Sequence, residues 1–136
     1  MNDRYLFRAK RIDNGEWVEG CLLVLDDETY RIATSCLQGN EEHLLQVCAH
    51  EVDPSTICQC TGLKDKSGKL IWENDILVGH LDDMCPENST YTQAIWYKNG
   101  FYTKEKGSDD ILLIGEFDEK HFEVCGSIFD NPELLE

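Results

Sequence analysis

Turn-forming residues punctuate this chain at intervals of roughly 8 to 15 positions, and between them apolar and polar side chains alternate over short runs. No long helical face interrupts that pattern. Alternation at a period of two puts one face of an extended segment into a core and the other into water, so the chain is expected to be all-β. Tyr5 to Lys10 and Trp17 to Leu25 read as strands joined through Asp13-Asn14-Gly15, where Asn-Gly supplies the positive φ of a tight hairpin. Asp26-Asp27-Glu28 turns the chain into a third strand, Thr29 to Thr34; residues 35 to 43 read as a polar loop, and Leu44 to Ala49 as a further strand. Pro54 then stops the ladder, because proline donates no hydrogen bond and restricts the residue before it. The break divides the chain into two small lobes, residues 1–62 and 63–136.

Around the break, Ile57 to Thr61 alternates as a strand, Asp65-Lys66-Ser67-Gly68 is a turn ending in a glycine suited to left-handed φ, and Lys69 to Trp72 is the return strand. Asn74 to Val78 enters another strand, and Gly79 to Thr90, with Asp82-Asp83, Pro86 and Asn88, reads as an exposed loop. Next comes the cleanest hairpin signal: Gln93 to Lys98 alternates, Asn99-Gly100 fits a two-residue type I′ turn, and Phe101 to Lys104 returns. Ile111 to Ile114 and Phe122 to Phe129 add two strands, and Asn131 is placed to cap a terminal turn opened by Pro132. About five short strands suit a small barrel closed to remove its edges, so the C-terminal lobe is expected to be SH3-like.

A chain of 136 residues, 41% hydrophobic and 29% charged, is the size for one modest core or two small ones and leaves no room for large independent domains. No apolar run approaches the roughly 20 residues that cross a bilayer as a helix, and the N-terminus enters a patterned segment without the apolar core of a secretion signal. A cytoplasmic protein with no membrane partner is expected. The net charge of −15 repels phosphate backbones, which disfavours DNA or RNA as a ligand. The same carboxylates serve solubility, or, arrayed on one face, would imitate DNA and occupy a DNA-binding protein or nuclease of the host.

Seven cysteines, Cys21, Cys36, Cys48, Cys58, Cys60, Cys85 and Cys125, are odd in number and irregular in spacing, which fits reduced thiols packed as small apolar residues better than a disulfide framework. Cys58 and Cys60 share a strand face near His50, but no Cys-x-x-Cys pair exists, so neither metal nor cofactor is expected.

Catalytic patterns are absent as well: there is no nucleophile elbow, phosphate-binding glycine loop, His-Glu-x-x-His helix or EF-hand spacing. Lys64-Asp65-Lys66-x-x-Lys69 is accounted for by turn geometry and solvation. Glu73 and Asp75 flank a strand entrance, where carboxylates satisfy backbone donors more often than they do acid–base work. His43, His50, His80 and His121 are isolated. Aromatic residues concentrate late, at Trp72, Trp96, Tyr97, Phe101, Tyr102 and Phe117. Trp96 and Tyr97 alternate across a strand, so not all of these rings enter a core, and Trp96, Tyr97, Phe101 and Tyr102 form the candidate interaction surface.

The block Thr61 to Ile76, preceded by Pro54-Ser55-Thr56-Ile57 and followed at the end of the chain by Gly126 to Leu135, resembles the YopX family of phage and prophage proteins. The opening Phe7-Arg8-Ala9 and the hairpin bearing Trp17 extend the resemblance over essentially the whole chain. The chain departs from the family's pattern at Cys58, Cys60 and Asn74, and asparagine still tolerates positive φ. Thr61, Gly62, Leu63, Lys64, Asp65, Gly68, Asp75, Gly126, Asn131 and Pro132 are the signature positions, read as structural. The resemblance implies a phage or prophage origin, a two-part all-β fold and self-association, and it transfers no catalytic residue. The leading expectation is a non-enzymatic homo-oligomer that binds a host or phage protein. A DNA mimic and a small metal-dependent hydrolase are the alternatives.

Overall fold

The computed structural model of the chain describes residues 5–25, 28–36, 46–80, 89–108, 111–115 and 120–136. Asp26-Asp27, His43, Asp82-Asp83, Cys85, Phe117 and most of the loops expected over 35–43 and 79–90 lie outside the described residues. Eleven strands are described: β1 Phe7–Lys10, β2 Trp17–Val24, β3 Tyr30–Cys36, β4 Gln46–Glu51, β5 Cys58–Lys64, β6 Leu70–Trp72, β7 Asp75–His80, β8 Ser89–Tyr97, β9 Gly100–Glu105, β10 Ile111–Leu113 and β11 Phe122–Ser127. The all-β expectation is met by two antiparallel sheets. The chain divides into two compact units, one ending at Gln59 and the other starting at Cys60.

In the first unit the strands run in the order β4-β3-β2-β1-β5, each pair antiparallel. The β1–β2 connection is the hairpin expected from Asn-Gly, with Gly15 at φ 72° and Lys10 opposite Trp17. Strand alternation sends Ala9 and Ile32 to one face, where they are fully buried with Val52 against Phe7, Val18, Leu22, Tyr30 and Ile57. Removing a side chain such as Ile32 from water contributes roughly 1.5–3 kcal/mol. At the break, Asp53 accepts hydrogen bonds from Ser55 N (3.0 Å) and Ser55 Oγ (2.8 Å) and so caps the 3-10 turn Pro54–Thr56, with proline first, where no N–H is needed. Thr56 Oγ1 accepts from Lys10 N (2.9 Å), fastening that turn to β1.

Strand β5 is shared: Cys58 and Gln59 pair with β1, and from Cys60 onward it pairs with β6. The second unit holds the antiparallel sheet β10-β9-β8-β7-β11. Leu77 on β7 stands opposite Val124 on β11, and Leu77, Ala94, Ile71 and Phe122 make its core, with Leu63, Ile114 and Val124 packed against them. No closed SH3-like barrel is detected among the described strands: β10 and β11 end the sheet without pairing to one another.

The β8–β9 hairpin also differs in detail from its sequence pattern. Tyr97 pairs with Gly100, so the turn is Lys98-Asn99 rather than Asn99-Gly100, and positive φ falls on Lys98 (55°) and not on Asn99, which excludes type I′. At the chain end Asn131 makes no side-chain cap to the 3-10 turn Pro132–Leu135; its Oδ1 instead accepts from Ser127 N (3.4 Å).

Candidate functional site

The exposed aromatic surface is built at the free end of the β8–β9 hairpin. Register pairs Trp96 with Phe101 and Ile95 with Tyr102, and the period of two sends Trp96 and Tyr97 to opposite faces. Each outward ring meets a second one edge-on: Trp96 with Phe101 at 4.9 Å between centroids, Tyr97 with Tyr102 at 5.8 Å. Such pairs contribute about 0.5–1.5 kcal/mol beyond burial, which favours this arrangement of the rings. Lys98 Nζ lies 5.3 Å from the centre of the Tyr97 ring. Phe101 and Tyr102 are half-buried, while Trp96 remains 48% and Tyr97 42% exposed. The structure thus brings the four sequence-expected residues together as two pairs, one on each side of the hairpin.

Sequence reasoning missed Leu112 and Leu113, each 70% exposed on β10 next to that hairpin. Leu113 stands opposite Tyr102 and Leu112 opposite Thr103, so the two leucines lie on opposite faces of the sheet, Leu113 on the face that carries Tyr102. The available signal was Ile111-Leu112-Leu113 itself, an apolar run with no polar alternation in a short strand. A groove of about 230 Å³ beside β9 is lined by Gln93, Lys104, Glu105, Lys106, Gly107 and Leu135, and it gathers no histidine or cysteine that would pair as nucleophile and base.

The signature residues occupy a different place, around the β5–β6 and β6–β7 turns. Asp65 is buried, and its carboxylate accepts from Ser67 N (2.9 Å) and Lys69 N (2.8 Å) through Oδ1 and from Val124 N (2.9 Å) through Oδ2. Lys66 N donates to Phe122 O (3.0 Å) and Ser67 Oγ to Glu123 Oε1 (2.7 Å), so the whole turn is laced to β11. Gly68 has φ 85° and Gly62 φ 83°. Thr61 Oγ1 donates to Ile71 O (2.7 Å) and accepts from Leu63 N (3.1 Å). Lys64 stands opposite Leu70.

Asp75, also buried, accepts from Trp72 N (2.8 Å), and Asn74 between them sits at φ 70°, donating its N–H to Ala94 O (2.6 Å). A Cβ on Gly126 would run into the side chain of Asn131, whose N–H donates to Ser127 O (2.8 Å); Pro132 opens the turn that follows.

Cys58 and Cys60 are fully buried, and Cys58 Sγ donates to Thr56 O (3.2 Å). Cys125 is exposed at a bulge in β11 opposite β7; partial desolvation, with the carboxylates of Asp75 and Glu123 adding to it, pushes its thiol up. Among the described residues, no three His, Cys, Asp or Glu side chains gather as a metal-holding group. Among them too, no helix is long and apolar enough to cross a membrane.

Three comparisons place the chain among known proteins. The profile of a family described as YopX protein matches residues 6–136. Among solved structures, the chain is similar to one titled "Crystal structure of protein EF1440 from Enterococcus faecalis", with 26% identity, 96% of each chain covered and a TM-score of 0.58. No curated protein matches.

Proposed function

The chain belongs to the YopX family, and from that premise we propose that it is a non-enzymatic, self-associating protein-interaction module of a phage or prophage, working in the cytoplasm of the bacterial host. The observation that carries this reading is the paired aromatic display of the β8–β9 hairpin, Trp96 on Phe101 and Tyr97 on Tyr102, packed edge-on and still presenting ring surface to solvent. Half-exposed aromatic rings are the side chains that anchor protein contacts, because they bury much apolar area at little cost in conformational entropy. In this reading the signature residues serve the fold: the Asp65 carboxylate, the Asp75 carboxylate and the Thr61 hydroxyl are already engaged with backbone groups.

Sedimentation at several salt concentrations tests the reading. A net charge of −15 repels like copies, and added salt screens that repulsion, so association through an apolar contact strengthens as salt rises. A monomer at every salt concentration, up to the highest protein concentration that stays in solution, would overturn it.

A further inference from the structure

An asparagine followed by glycine is chemically prone to close on itself, because the glycine nitrogen can attack the asparagine side-chain Cγ with no Cβ to obstruct the approach. The chain holds two such pairs, Asn14-Gly15 and Asn99-Gly100, each at the end of a hairpin and each with its asparagine exposed. They differ in what holds the side chain.

Asn14 is held at both ends of its amide. Its Oδ1 accepts from Glu16 N (2.9 Å), its Nδ2 donates to Glu16 Oε2 (3.4 Å), and Gly15 N donates to Arg11 O (2.9 Å). Ring closure at Asn14 therefore breaks three hydrogen bonds. The Asn99 side chain makes no hydrogen bond to any described residue. Ile114 N donates to Phe101 O (3.3 Å), which turns the Phe101 carbonyl toward β10 and leaves Tyr97 and Gly100 as the hydrogen-bonded pair that closes the β8–β9 turn. Ring closure at Asn99 asks only that this closing pair open, at the exposed tip of a hairpin, where backbone pairing opens most readily.

We propose that Asn99 is a site of self-modification by deamidation, converting in the folded protein while Asn14 keeps its amide. Gly100 N bonds to Asn99 Cγ and gives up its proton, the Cγ–Nδ2 bond breaks, and Nδ2 leaves with that proton as ammonia. A cyclic imide results. Water then opens it, at Cγ to give aspartate or at the main-chain carbonyl to give isoaspartate; no oxidant or reductant is involved. Either product sets a new carboxylate beside Lys98 at the edge of the exposed Trp96 and Tyr97 rings. The isoaspartate form also lengthens the turn backbone by a methylene and so disturbs the pairing of Tyr97 with Gly100. The chemistry is independent of what that surface binds.

Peptide mapping by mass spectrometry tests it, on the folded protein held at mildly alkaline pH and on the same protein unfolded in urea. In urea both asparagines should convert. In the folded protein Asn99 should become a mixture of aspartate and isoaspartate, while Asn14 stays an amide over the time that consumes it in urea. Asn14 converting as fast as Asn99 in the folded protein, or Asn99 persisting there while it is lost in urea, would overturn the proposal. Gly100→Ala separates the chemistry from the fold. A Cβ at that position meets only Tyr102 Cε2, at 3.7 Å, and Gly100 lies outside the left-handed region, so the variant should fold and its Asn99 should convert several times more slowly. Conversion at the parent rate in the folded variant, or a product without isoaspartate, would exclude the cyclic route.

Discussion

Replacing Asp65 by alanine takes the shared acceptor from three backbone N–H groups, those of Ser67, Lys69 and Val124. A buried donor left without a partner costs about 1–3 kcal/mol, so urea unfolding of Asp65→Ala should show a loss of about 3 kcal/mol or more. Gly68 three positions on acts through its backbone alone: at φ 85°, with open space where a Cβ would stand, a β-branched residue meets no neighbour but is strained. Gly68→Val should therefore cost about 1 kcal/mol, and Lys66→Ala in the same turn should leave the unfolding curve unchanged. A partner interaction abolished by the lysine change, with stability left intact by the glycine change, would mean that the turn is a binding site and not a structural joint. The sequence disclosed the positive φ at Gly68, because glycine at that turn position has one evident use. It did not disclose that Asp65 reaches β11, because a carboxylate's partner 59 positions along the chain leaves no local pattern.

The turn Pro54–Thr56 ties a measurable pH response to one short element. Its cap, Asp53, is exposed, and hydrogen bonds from the side chain and backbone of Ser55 hold its carboxyl below the ordinary carboxylate range. A carboxyl whose pKa is lowered by folding contributes stability that is present above the unfolded-state pKa and is lost as pH falls through the folded one. The effect therefore belongs to the acid limb, and Ser55→Ala should move the Asp53 titration, followed by NMR, upward toward the ordinary range. An unchanged midpoint would show that the Ser55 Oγ bond does not form in solution, since alanine keeps the backbone N–H that also donates to Asp53. Strand positions were readable because alternation and turn residues agree along most of the chain. The β8–β9 turn was misplaced by one residue because Asn-Gly is the stronger local signal, whereas the observed register places Gly100 opposite Tyr97 and leaves Lys98 to take the positive φ. The exposed leucines of β10 were missed for a related reason: a short apolar run reads as buried strand until its place at the sheet edge is known.

Because β5 passes from one compact unit into the other, its two buried cysteines report on both. Cys58 lies in the first unit and Cys60 in the second, and both are fully buried. With a thiol reagent in rising urea, exposed Cys21 should react in the native protein, while Cys58 and Cys60 should lose protection at the same urea concentration, since the strand that carries one carries the other. Separate midpoints would show that the units unfold independently. The two units also differ in when their ladders close. Every strand pair of the first is available once Gln59 has been added to the chain, whereas in the second β7 waits for β11, and the Asp65 turn waits for Val124. During translation the first unit thus has its partners earlier, while the second holds an unsatisfied turn and an open β7 edge until β11 has been made. That interval is when the nascent chain is most exposed to chaperones, proteases and wrong strand partners.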